Sequence, residues 1–338
     1  NIENLIGKPD IIDKTEDGVA IWKKKTLNKK GINCDRLIKL NNFTDTNPEY
    51  RCNFEIRKKN YGFSSYQSEY GYKMTTILQI SDTHILPEGP LVSNVLDTAS
   101  SLEKLIIRIN QLRVKHNDIE CILVSGDISE DGSSDSYQRF KSIMSLLELP
   151  VYVIPGNHDA RENMREAFMA ENIFTKTGPL NWHKKIGHIN LIGLDTLVEG
   201  QGGGYLMPES LEYLEKTLNN IKSEPTMLAL HHPPFETGIQ FMDSIGLENT
   251  NEFKNIISNF TGELRVVCGH IHCMMVANLN NHIAISSPSP CSSFEYDTRS
   301  SAPVGFINEV DGCLLHRWNN GFKSVRIGPL VGSGPFPF

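Results

Sequence analysis

The stretch Ile77-Leu78-Gln79-Ile80-Ser81-Asp82-Thr83-His84 sets the pattern of the chain, because a short apolar run ends directly in a polar cluster. Four further apolar runs lead into the clusters Ser125-Gly126-Asp127, Gly156-Asn157-His158-Asp159, His231-His232-Pro233-Pro234 and Gly269-His270-Ile271-His272. Short apolar runs of this kind favour buried strands. In open α/β sheets, functional groups collect at the carboxyl ends of the strands. The pattern therefore predicts an α/β fold in which five strands deliver polar residues to one site.

Helical patterns alternate with these strands from Met74 onward. Three segments repeat apolar residues at helical spacing: 96–114, 136–147 and 210–221. Residues 189–195 supply one more strand. After the last polar cluster the patterns are strand-like only, at 274–279, 282–286, 304–307 and 313–318. Alternating strands and helices followed by a run of strands predict a central β-sandwich flanked by helices.

Residues 1–73 differ in character from the rest of the chain. Short alternating patterns in residues 1–60 predict a small β-containing appendage, and the Ser-, Tyr- and Gly-rich segment 61–73 is typical of a linker. Residues 74–338 are expected to form the catalytic domain. The first 73 residues carry 14 basic and 10 acidic side chains, whereas the remainder carries 19 and 30. An acidic body disfavours nucleic acid as a partner, since phosphate backbones are bound by clustered Lys and Arg.

The composition is that of an ordinary globular protein, with 39% hydrophobic residues, 22% charged residues and a formal net charge of −7. No run of roughly 18 apolar residues occurs, so no membrane-spanning helix is expected. Residues 1–10 lack the basic start and apolar stretch of a signal peptide. The seven cysteines are scattered without a CxxC pair, which favours a reducing compartment and a cytoplasmic location.

The polar clusters supply seven side chains that suit two adjacent divalent ions: Asp82, His84, Asp127, Asn157, His231, His270 and His272. Asp82 and His84 are two positions apart and point the same way from an extended strand end, and the same holds for the last two histidines. Asp127 has two oxygens and can bridge two ions, while Asn157 offers a neutral oxygen. Mixed imidazole, carboxylate and amide ligands suit Mn, Fe or Zn better than Ca or Mg.

Two such ions perform a known chemical task. At a separation of about 3.5–4 Å they acidify a bound water and clamp the oxygens of a phosphoryl group for in-line attack. This chemistry needs no Ser or Cys nucleophile. His158 directly follows one candidate ligand and is a candidate to protonate the leaving oxygen or to stabilise the transition state. The sequence therefore predicts metal-dependent phosphoester hydrolysis, with Asp127 and His158 as catalytic residues.

The five clusters resemble, in order, the motif set of the calcineurin-like metallophosphoesterases over about residues 74–320. Within that superfamily the chain most resembles the bacterial class III cyclic-nucleotide phosphodiesterases. Three further features fit this resemblance: Arg161, the Gly-rich segment 202–205 and Ser287-Pro288-Ser289-Pro290. The N-terminal appendage and Cys273, directly after the last cluster, depart from the family pattern.

The resemblance implies a four-layer α/β/β/α sandwich and a pair of divalent ions bridged by Asp127. One ion would be held by Asp82, His84, Asp127 and His272, and the other by Asp127, Asn157, His231 and His270. The residues expected to contact substrate are Asn157, His158 and Arg161. The implied activity is hydrolysis of a phosphodiester such as 3′,5′-cyclic AMP by a metal-bridging hydroxide. Because close relatives are often dimers, the resemblance also allows a homodimer.

Other functions stay open at this stage. Similar metal sites hydrolyse glycerophosphodiesters, nucleotides and nucleic acids, although the acidic body disfavours a double-stranded nuclease. A protein phosphatase is disfavoured because the chain has Asn-His-Asp where that branch has Asn-His-Glu. A function of another class is a regulatory module, in which residues 1–73 recruit a partner and the metal domain binds a nucleotide.

Several polar residues near the clusters have simpler explanations. His232 points away from the ligand side of its strand and is expected to be structural, and Asp159 is expected to brace its loop. Asp195 fits the start of a turn, and the glycines at 202–204 fit a flexible lid or a plain loop equally well. The remaining histidines are expected to be core or surface residues: His116, His183, His188, His282 and His316.

Overall fold

The computed structural model describes residues 74–308 and 312–328, together with the strands within residues 11–58. Residue contacts divide the chain into two compact units, Asn1–Gly71 and Tyr72–Phe338. The first unit contains an antiparallel sheet of four strands in sequence order: β1 (Ile11–Lys14), β2 (Ala20–Leu27), β3 (Asn33–Leu40) and β4 (Phe54–Lys58). These strands agree with the β-containing character expected of residues 1–60, and a separate appendage stays a prediction. The expected linker at 61–73 lies outside the described residues, and the domain boundaries stay a prediction.

The second unit contains two sheets. The strands of the five-stranded sheet are β5 (Thr75–Ile80), β6 (Ile119–Ser125), β7 (Val151–Ile154), β14 (Cys313–Trp318) and β15 (Phe322–Ile327). Their order is β15-β14-β5-β6-β7, with β5, β6 and β7 parallel and the other two strands antiparallel. The parallel half of this sheet carries the first three polar clusters at one edge.

The strands of the six-stranded sheet are β8 (Trp182–Ile186), β9 (Ile189–Gly193), β10 (Thr226–Ala229), β11 (Leu264–Cys268), β12 (Val276–Leu279) and β13 (His282–Ser286). Their order is β12-β13-β11-β10-β9-β8. The four central strands are parallel and the two edge strands are antiparallel. The last two polar clusters follow β10 and β11, which are neighbours in this sheet.

Among the described residues of this unit, six α-helices cover the sheets: α1 (Thr98–Lys115), α2 (Ser134–Met144), α3 (Arg161–Ala167), α4 (Pro208–Ile221), α5 (Gln240–Ser244) and α6 (Thr250–Ser258). Local chemistry sets where three of them begin. The Asp97 carboxylate accepts a hydrogen bond from the Ser100 backbone N–H at 3.0 Å, and Ser133 caps α2 through the N–H of Ser136 at 3.2 Å. Helix α4 begins at Pro208, where the missing N–H costs no helical hydrogen bond.

Three apolar layers hold the unit together. The outer face of the five-stranded sheet, including Leu78 and Val124, packs against α1 and α2. The two sheets face each other through an inner layer that includes Leu123 and Met227. The outer face of the six-stranded sheet, including Leu228, packs against α4 and α6. These layers confirm the expected four-layer α/β/β/α sandwich.

The structure differs from the sequence expectation at residues 304–307. The expected strand there is a loop, in which Ile307 alone pairs with Ser293 through two backbone hydrogen bonds of 2.7 and 3.0 Å. Val304 and Ile307 remain 64% and 41% exposed, so no sheet buries the apolar side chains that suggested a strand. The sequence also gave no sign of the short helices α3, α5 and α6, because each spans nine residues or fewer and shows too little periodicity.

Candidate metal centre

Each predicted ligand lies two to four residues beyond the carboxyl end of a parallel strand. The backbone N–H groups of Asp82 and His84 donate to the carbonyls of Gly126 and Asp127, both at 3.0 Å, so the chain segments leaving β5 and β6 stay paired. The His270 backbone N–H donates to the Asp82 carboxylate at 3.0 Å and 3.2 Å, which ties the fifth cluster to the first. These bonds bring the clusters of both sheets to one place.

Three of the seven side chains meet on one side of this place. His84 Nε2 lies 3.1 Å from His272 Nε2, and His272 Nε2 lies 3.5 Å from Asp82 Oδ1. Asp127 Oδ2 lies 3.7 Å from His84 Nε2. The three residues of the group are buried and their donor atoms lie within 4.8 Å of one another. Their geometry suits a single cation.

The remaining side chains meet on the other side of Asp127. Asn157 Oδ1 lies 2.9 Å from His270 Nδ1 and 3.2 Å from His231 Nε2. His231 Nε2 is also 3.3 Å from Asp127 Oδ2. The same oxygen of Asp127 thus faces both groups, while its Oδ1 accepts the His158 backbone N–H at 2.9 Å. The structure brings all seven predicted ligands together, and their assignment to particular ions stays a prediction.

The protonation of the rings shows that the donor set fits metal ions. The His231 Nδ1 lies 2.9 Å from the Ser125 carbonyl oxygen, which can only accept, so Nδ1 carries the proton. The His84 Nδ1 is held in the same way by Glu130 Oε2 at 2.7 Å. The Nε2 atoms of these rings then point at another ring nitrogen or at carboxylate oxygens, and each carries a lone pair once its proton is displaced. So many electron-pair donors lie close together favourably only when cations lie among them. Histidines that bind metals in proteins usually have their other ring nitrogen held by a hydrogen bond, as these do.

The electrostatics of the centre lead to the same conclusion. Burial raises the pKa of Asp82 to about 6. Burial alone would lower the pKa of His231, but the charge of Asp127 and a hydrogen bond to it outweigh burial and raise this pKa to about 9. Burial would likewise raise the pKa of Asp127, yet the charge of His231 helps to hold it well below its usual range. Positive charge is therefore stabilised beside Asp127, as a cation site requires. Burial holds the pKa values of His270 and His272 well below their usual range, so these two rings are neutral and free to act as ligands.

His158 stands beside the ligands rather than among them. Its side chain is 37% exposed, and its Nδ1 lies 3.2 Å from the Glu130 carbonyl oxygen and 3.4 Å from Glu130 Oε2. Its ring packs edge-on against His84, with 4.8 Å between centroids. Sequence reasoning missed Glu130, which contacts both histidines. The signal was present, because Glu130 lies three residues after Asp127 within a polar run.

The structure gives Arg161 a structural partner. Its guanidinium donates to both carboxylate oxygens of Asp195, at 2.8 and 3.2 Å, and to the Leu197 carbonyl at 2.7 Å. The side chain of Asp195 is 1% exposed, so this pair braces the loops that follow β7 and β9. A contact between Arg161 and substrate stays a prediction.

Two neighbours of the ligands behave as the sequence suggested. Both ring nitrogens of His232 are engaged away from the centre, Nδ1 with Thr196 Oγ1 at 2.8 Å and Nε2 with the Gly202 carbonyl at 3.1 Å. The Asp159 carboxylate accepts from the backbone N–H groups of three residues and from the Tyr137 hydroxyl. It therefore braces the two loops that carry Asp127 and Asn157.

The comparisons with known proteins identify the family. The family model for calcineurin-like phosphoesterases matches residues 75–274, which is more than half of the chain. The chain belongs to the calcineurin-like phosphoesterases. This family uses a dinuclear metal site, and the converging Asp and His side chains lie where such a site is expected. The matched residues contain all five polar clusters, and residues 1–73 lie outside them.

Two curated relatives are phosphodiesterases by name. A probable glycerophosphodiester phosphodiesterase of Arcobacter nitrofigilis is 33% identical over 265 residues, which are 78% of this chain and 96% of the relative. A 3′,5′-cyclic adenosine monophosphate phosphodiesterase of Vibrio vulnificus is 32% identical over 222 residues, 65% of this chain and 77% of the relative. Family membership and these relatives confirm the expected enzyme class, a metal-dependent phosphoric diester hydrolase.

A solved structure supports the fold. A dimetal phosphatase from Danio rerio superposes with a TM-score of 0.54 at 12% identity, covering 75% of this chain and 98% of that protein. This similarity bears on architecture alone. Within the residues that the structure describes, no helix has both the length and the apolar character needed to cross a membrane.

Proposed function

We propose that this protein hydrolyses a cyclic nucleotide, such as 3′,5′-cyclic AMP, with two ions drawn from Mn, Fe and Zn. One ion would be held by Asp82, His84, Asp127 and His272, and the other by Asp127, Asn157, His231 and His270. The observation that carries the proposal is the position of Asp127 Oδ2, 3.7 Å from His84 Nε2 and 3.3 Å from His231 Nε2, between the two ligand groups.

The protein's own residues have separate tasks in this reaction. When bound, the two ions supply Lewis-acid polarisation of the phosphoryl group and of water. The backbone N–H of His158 orients Asp127 by holding Oδ1 at 2.9 Å. The His158 ring lines the cavity next to the ligands, and its Nδ1 donates to the Glu130 carbonyl oxygen. In the imidazolium form of the ring Nε2 also carries a proton, which would pass to the leaving oxygen and leave a neutral ring protonated on Nδ1.

The charge of the cavity favours a diester over a monoester. The centre opens into a cavity of about 320 Å³, and the described residues that line it include Glu130 but neither Lys nor Arg. A phosphodiester carries one negative charge, whereas a phosphomonoester carries nearly two near pH 7. Beyond the ions and the histidines that would bind them, the described lining offers neither Lys nor Arg to balance the second charge, so it supports a diester substrate.

A glycerophosphodiester is the second candidate substrate. It is favoured by the Arcobacter nitrofigilis relative, which aligns over 96% of its own length. That protein is named as a probable glycerophosphodiester phosphodiesterase. The two candidates share the metal centre and differ in the group esterified to the phosphate, so they are separated by comparing substrates.

The test is hydrolysis of a substrate panel by the full chain loaded with Mn. The panel holds 3′,5′-cyclic AMP, 2′,3′-cyclic AMP, a glycerophosphodiester, a nitrophenyl phosphomonoester and single-stranded DNA. We expect the highest kcat/KM with a cyclic nucleotide. A clear preference for the glycerophosphodiester would select the second candidate, and a preference for the monoester would contradict both.

Two variants show whether the turnover belongs to this centre. Asp127→Ala should lose bound metal and reduce kcat by at least about 100-fold. His158→Gln should keep its metal, measured by elemental analysis, yet reduce kcat by about 100-fold, since general acid catalysis contributes typically 10²–10⁴-fold. Undiminished turnover by Asp127→Ala would contradict the assignment, whereas a biological role that survives the loss of turnover would indicate a regulatory module.

The proposal extends to the location of the protein. Cys121, Cys268 and Cys313 are buried free thiols, which is consistent with a cytoplasmic protein. The homodimer and a partner for residues 1–73 stay predictions.

A further inference from the structure

Three phenylalanines border the metal centre and form what we call the aromatic wall: Phe241, Phe294 and Phe306. All three line the 320 Å³ cavity that contains the metal ligands. All three also line an adjoining cavity of about 390 Å³. The aromatic wall is therefore the boundary between the catalytic cavity and a second space whose role the metal chemistry does not explain.

The wall begins directly beside a metal ligand. The ring of Phe294 packs edge-on against the ring of His272, with 5.2 Å between their centroids. The His272 Nδ1 is in turn 2.9 Å from Ser292 Oγ, two residues before Phe294. A phosphodiester bound at the centre would consequently place one of its substituents next to Phe294.

Neighbouring contacts hold the wall in position. Phe294 packs against a small buried cluster that includes Met242 and Ile271. The loop carrying Phe306 is joined to the main body by the paired backbone hydrogen bonds between Ser293 and Ile307. Helix α5, which carries Phe241, is fixed at its start by the Asp243 carboxylate, which accepts the Thr237 and Gly238 backbone N–H groups at 2.6 and 3.0 Å.

Two of the rings are accessible in spite of these contacts. Phe241 is 41% exposed and Phe306 is 37% exposed. Exposed aromatic faces that border a cleft offer a stacking surface to a planar ligand. The second cavity also has polar lining residues, among them Glu295, Asp297 and Ser300. A planar group with a polar edge matches this combination, whereas a glycerol group offers nothing to stack.

We infer that the aromatic wall is a base-binding subsite, in which Phe241 and Phe306 stack on the base of a mononucleotide whose phosphate lies at the metal centre. This inference rests on the proposed phosphodiesterase function and deepens it by naming the residues that select the substrate. A mononucleotide is favoured over a nucleic acid strand because the described lining of the second cavity has two carboxylates, Glu295 and Asp297, and its Arg299 is paired with Asp297.

The test compares a nucleotide with a ligand that lacks a base. The binding of adenosine 5′-monophosphate and of glycerol 3-phosphate to the full chain loaded with Mn is measured by calorimetry. Stacking on an aromatic side chain contributes about 1–3 kcal/mol per base. We therefore expect Phe306→Ala and Phe241→Ala each to weaken nucleotide binding by roughly 10-fold relative to glycerol 3-phosphate.

Two further variants serve as controls. Phe306→Tyr keeps the ring and should restore the affinity for the nucleotide. Val325→Ala removes an exposed apolar side chain on β15, outside both cavities, and should leave the affinity for both ligands unchanged. An equal loss for both ligands, or no loss for either, would overturn the base-binding subsite.

The binding measurement also separates this inference from the proposed function. If nucleotide affinity depends on the aromatic wall but cyclic nucleotides are not hydrolysed, the subsite stands and the phosphodiesterase proposal fails. Suppose instead that a cyclic nucleotide is hydrolysed, and that the ratio of its KM to the KM of a glycerophosphodiester is the same in the wild type and in the Phe→Ala variants. The base-binding subsite would then be contradicted, and the proposed phosphodiesterase function would stand. A dinucleotide that binds more tightly than the mononucleotide would contradict the choice of ligand.

Discussion

At the residue scale, the metal centre depends on unusual backbone conformations. Five of the seven predicted ligands have positive φ angles, between 44° and 73°: Asp82, His84, Asp127, His270 and His272. Positive φ is uncommon outside glycine, and strained backbone concentrates at functional sites where the surrounding structure enforces it. The turns after β5, β6 and β11 thereby direct the five ligands inward instead of continuing the strand.

Gly126 gives a test of this arrangement. Its φ is +98°, and a Cβ at this position would lie 2.2 Å from the His231 ring. We expect Gly126→Ala to lower the free energy of unfolding by about 2–5 kcal/mol, from backbone strain plus overpacking, and to reduce bound metal. Urea denaturation and elemental analysis measure both effects.

Gly89→Ala is the matched control. Gly89 also has a positive φ, +114°, but no atom lies within 4 Å of its added Cβ. In this variant the free energy of unfolding should therefore fall only by the amount due to backbone strain, and the bound metal should be retained. Equal destabilisation in the two variants, with metal retained in both, would show that the close approach of Gly126 to His231 is unimportant.

At the scale of elements, one buried side chain links strands from both sheets. Gln79 on β5 donates from Nε2 to Ser125 Oγ on β6 at 2.8 Å and to the Cys268 carbonyl on β11 at 3.0 Å. Its Oε1 lies 2.9 Å from His316 Nε2 on β14, and His316 Nδ1 lies 2.8 Å from Ser324 Oγ on β15. This network fixes the strands β5, β6 and β11 just before the ligands begin.

The network predicts a pH dependence of stability. Burial, helped by the positive charge of Arg265, lowers the pKa of His316 to about 3. An unfolded His titrates near 6.5, so below that pH the unfolded chain binds the extra proton and the folded protein does not. The contribution of His316 to the free energy of unfolding is therefore fully present above about pH 6.5. It falls by about 1.4 kcal/mol per pH unit as the pH drops toward 3.

The measurement is urea unfolding of the chelator-treated protein between pH 7.5 and 5. His316→Gln keeps polar partners for Gln79 and Ser324 but does not titrate, so its stability should fall less steeply with acid. His183→Gln replaces a histidine that contacts Asn190 near the surface and should keep the wild-type slope. Identical slopes for wild type and His316→Gln would contradict the prediction.

At the scale of the whole molecule, the metal centre joins the two sheets. Its ligands come from both sheets, and Asp82 and Asp127 are almost completely buried, with exposures of 0% and 2%. Buried carboxylates are costly without a cationic partner. Bound ions therefore stabilise the folded state as well as the reaction.

Chelation should lower the thermal stability of the protein. A ligand present at 100 times its Kd stabilises the folded state by about 2.7 kcal/mol, and 1 kcal/mol shifts the Tm of a domain this large by about 2–4 °C. We expect a chelator to lower Tm by roughly 5–10 °C and added Mn to restore it, measured by scanning calorimetry. In Asp127→Ala the chelator should lower Tm by less than in the wild type. If the chelator left the Tm of the wild-type protein unchanged, this would contradict a metal site formed by these residues.

Much of this arrangement could be predicted from the sequence, because it is encoded locally. The helix of residues 98–115 and the five ligand-bearing strands follow from the spacing of apolar residues. The short helix carrying Phe241 could not be predicted, because five residues contain too little periodicity. The strand expected at 304–307 was wrong for a different reason, since a strand needs a partner that local sequence does not reveal.

The sequence by itself determined which side chains can bind metal, in what order they occur, and that each follows a strand. Only the tertiary structure decided how these strands divide between the two facing sheets, and that His84 and His272, separated by 188 residues, meet at 3.1 Å. The tertiary structure likewise turned His232 and Arg161 to structural partners, and it brought Glu130 and the aromatic wall to the cavity. The physical reason is that periodicity records the local conformation of the chain, whereas the approach of distant residues depends on the packing of whole layers.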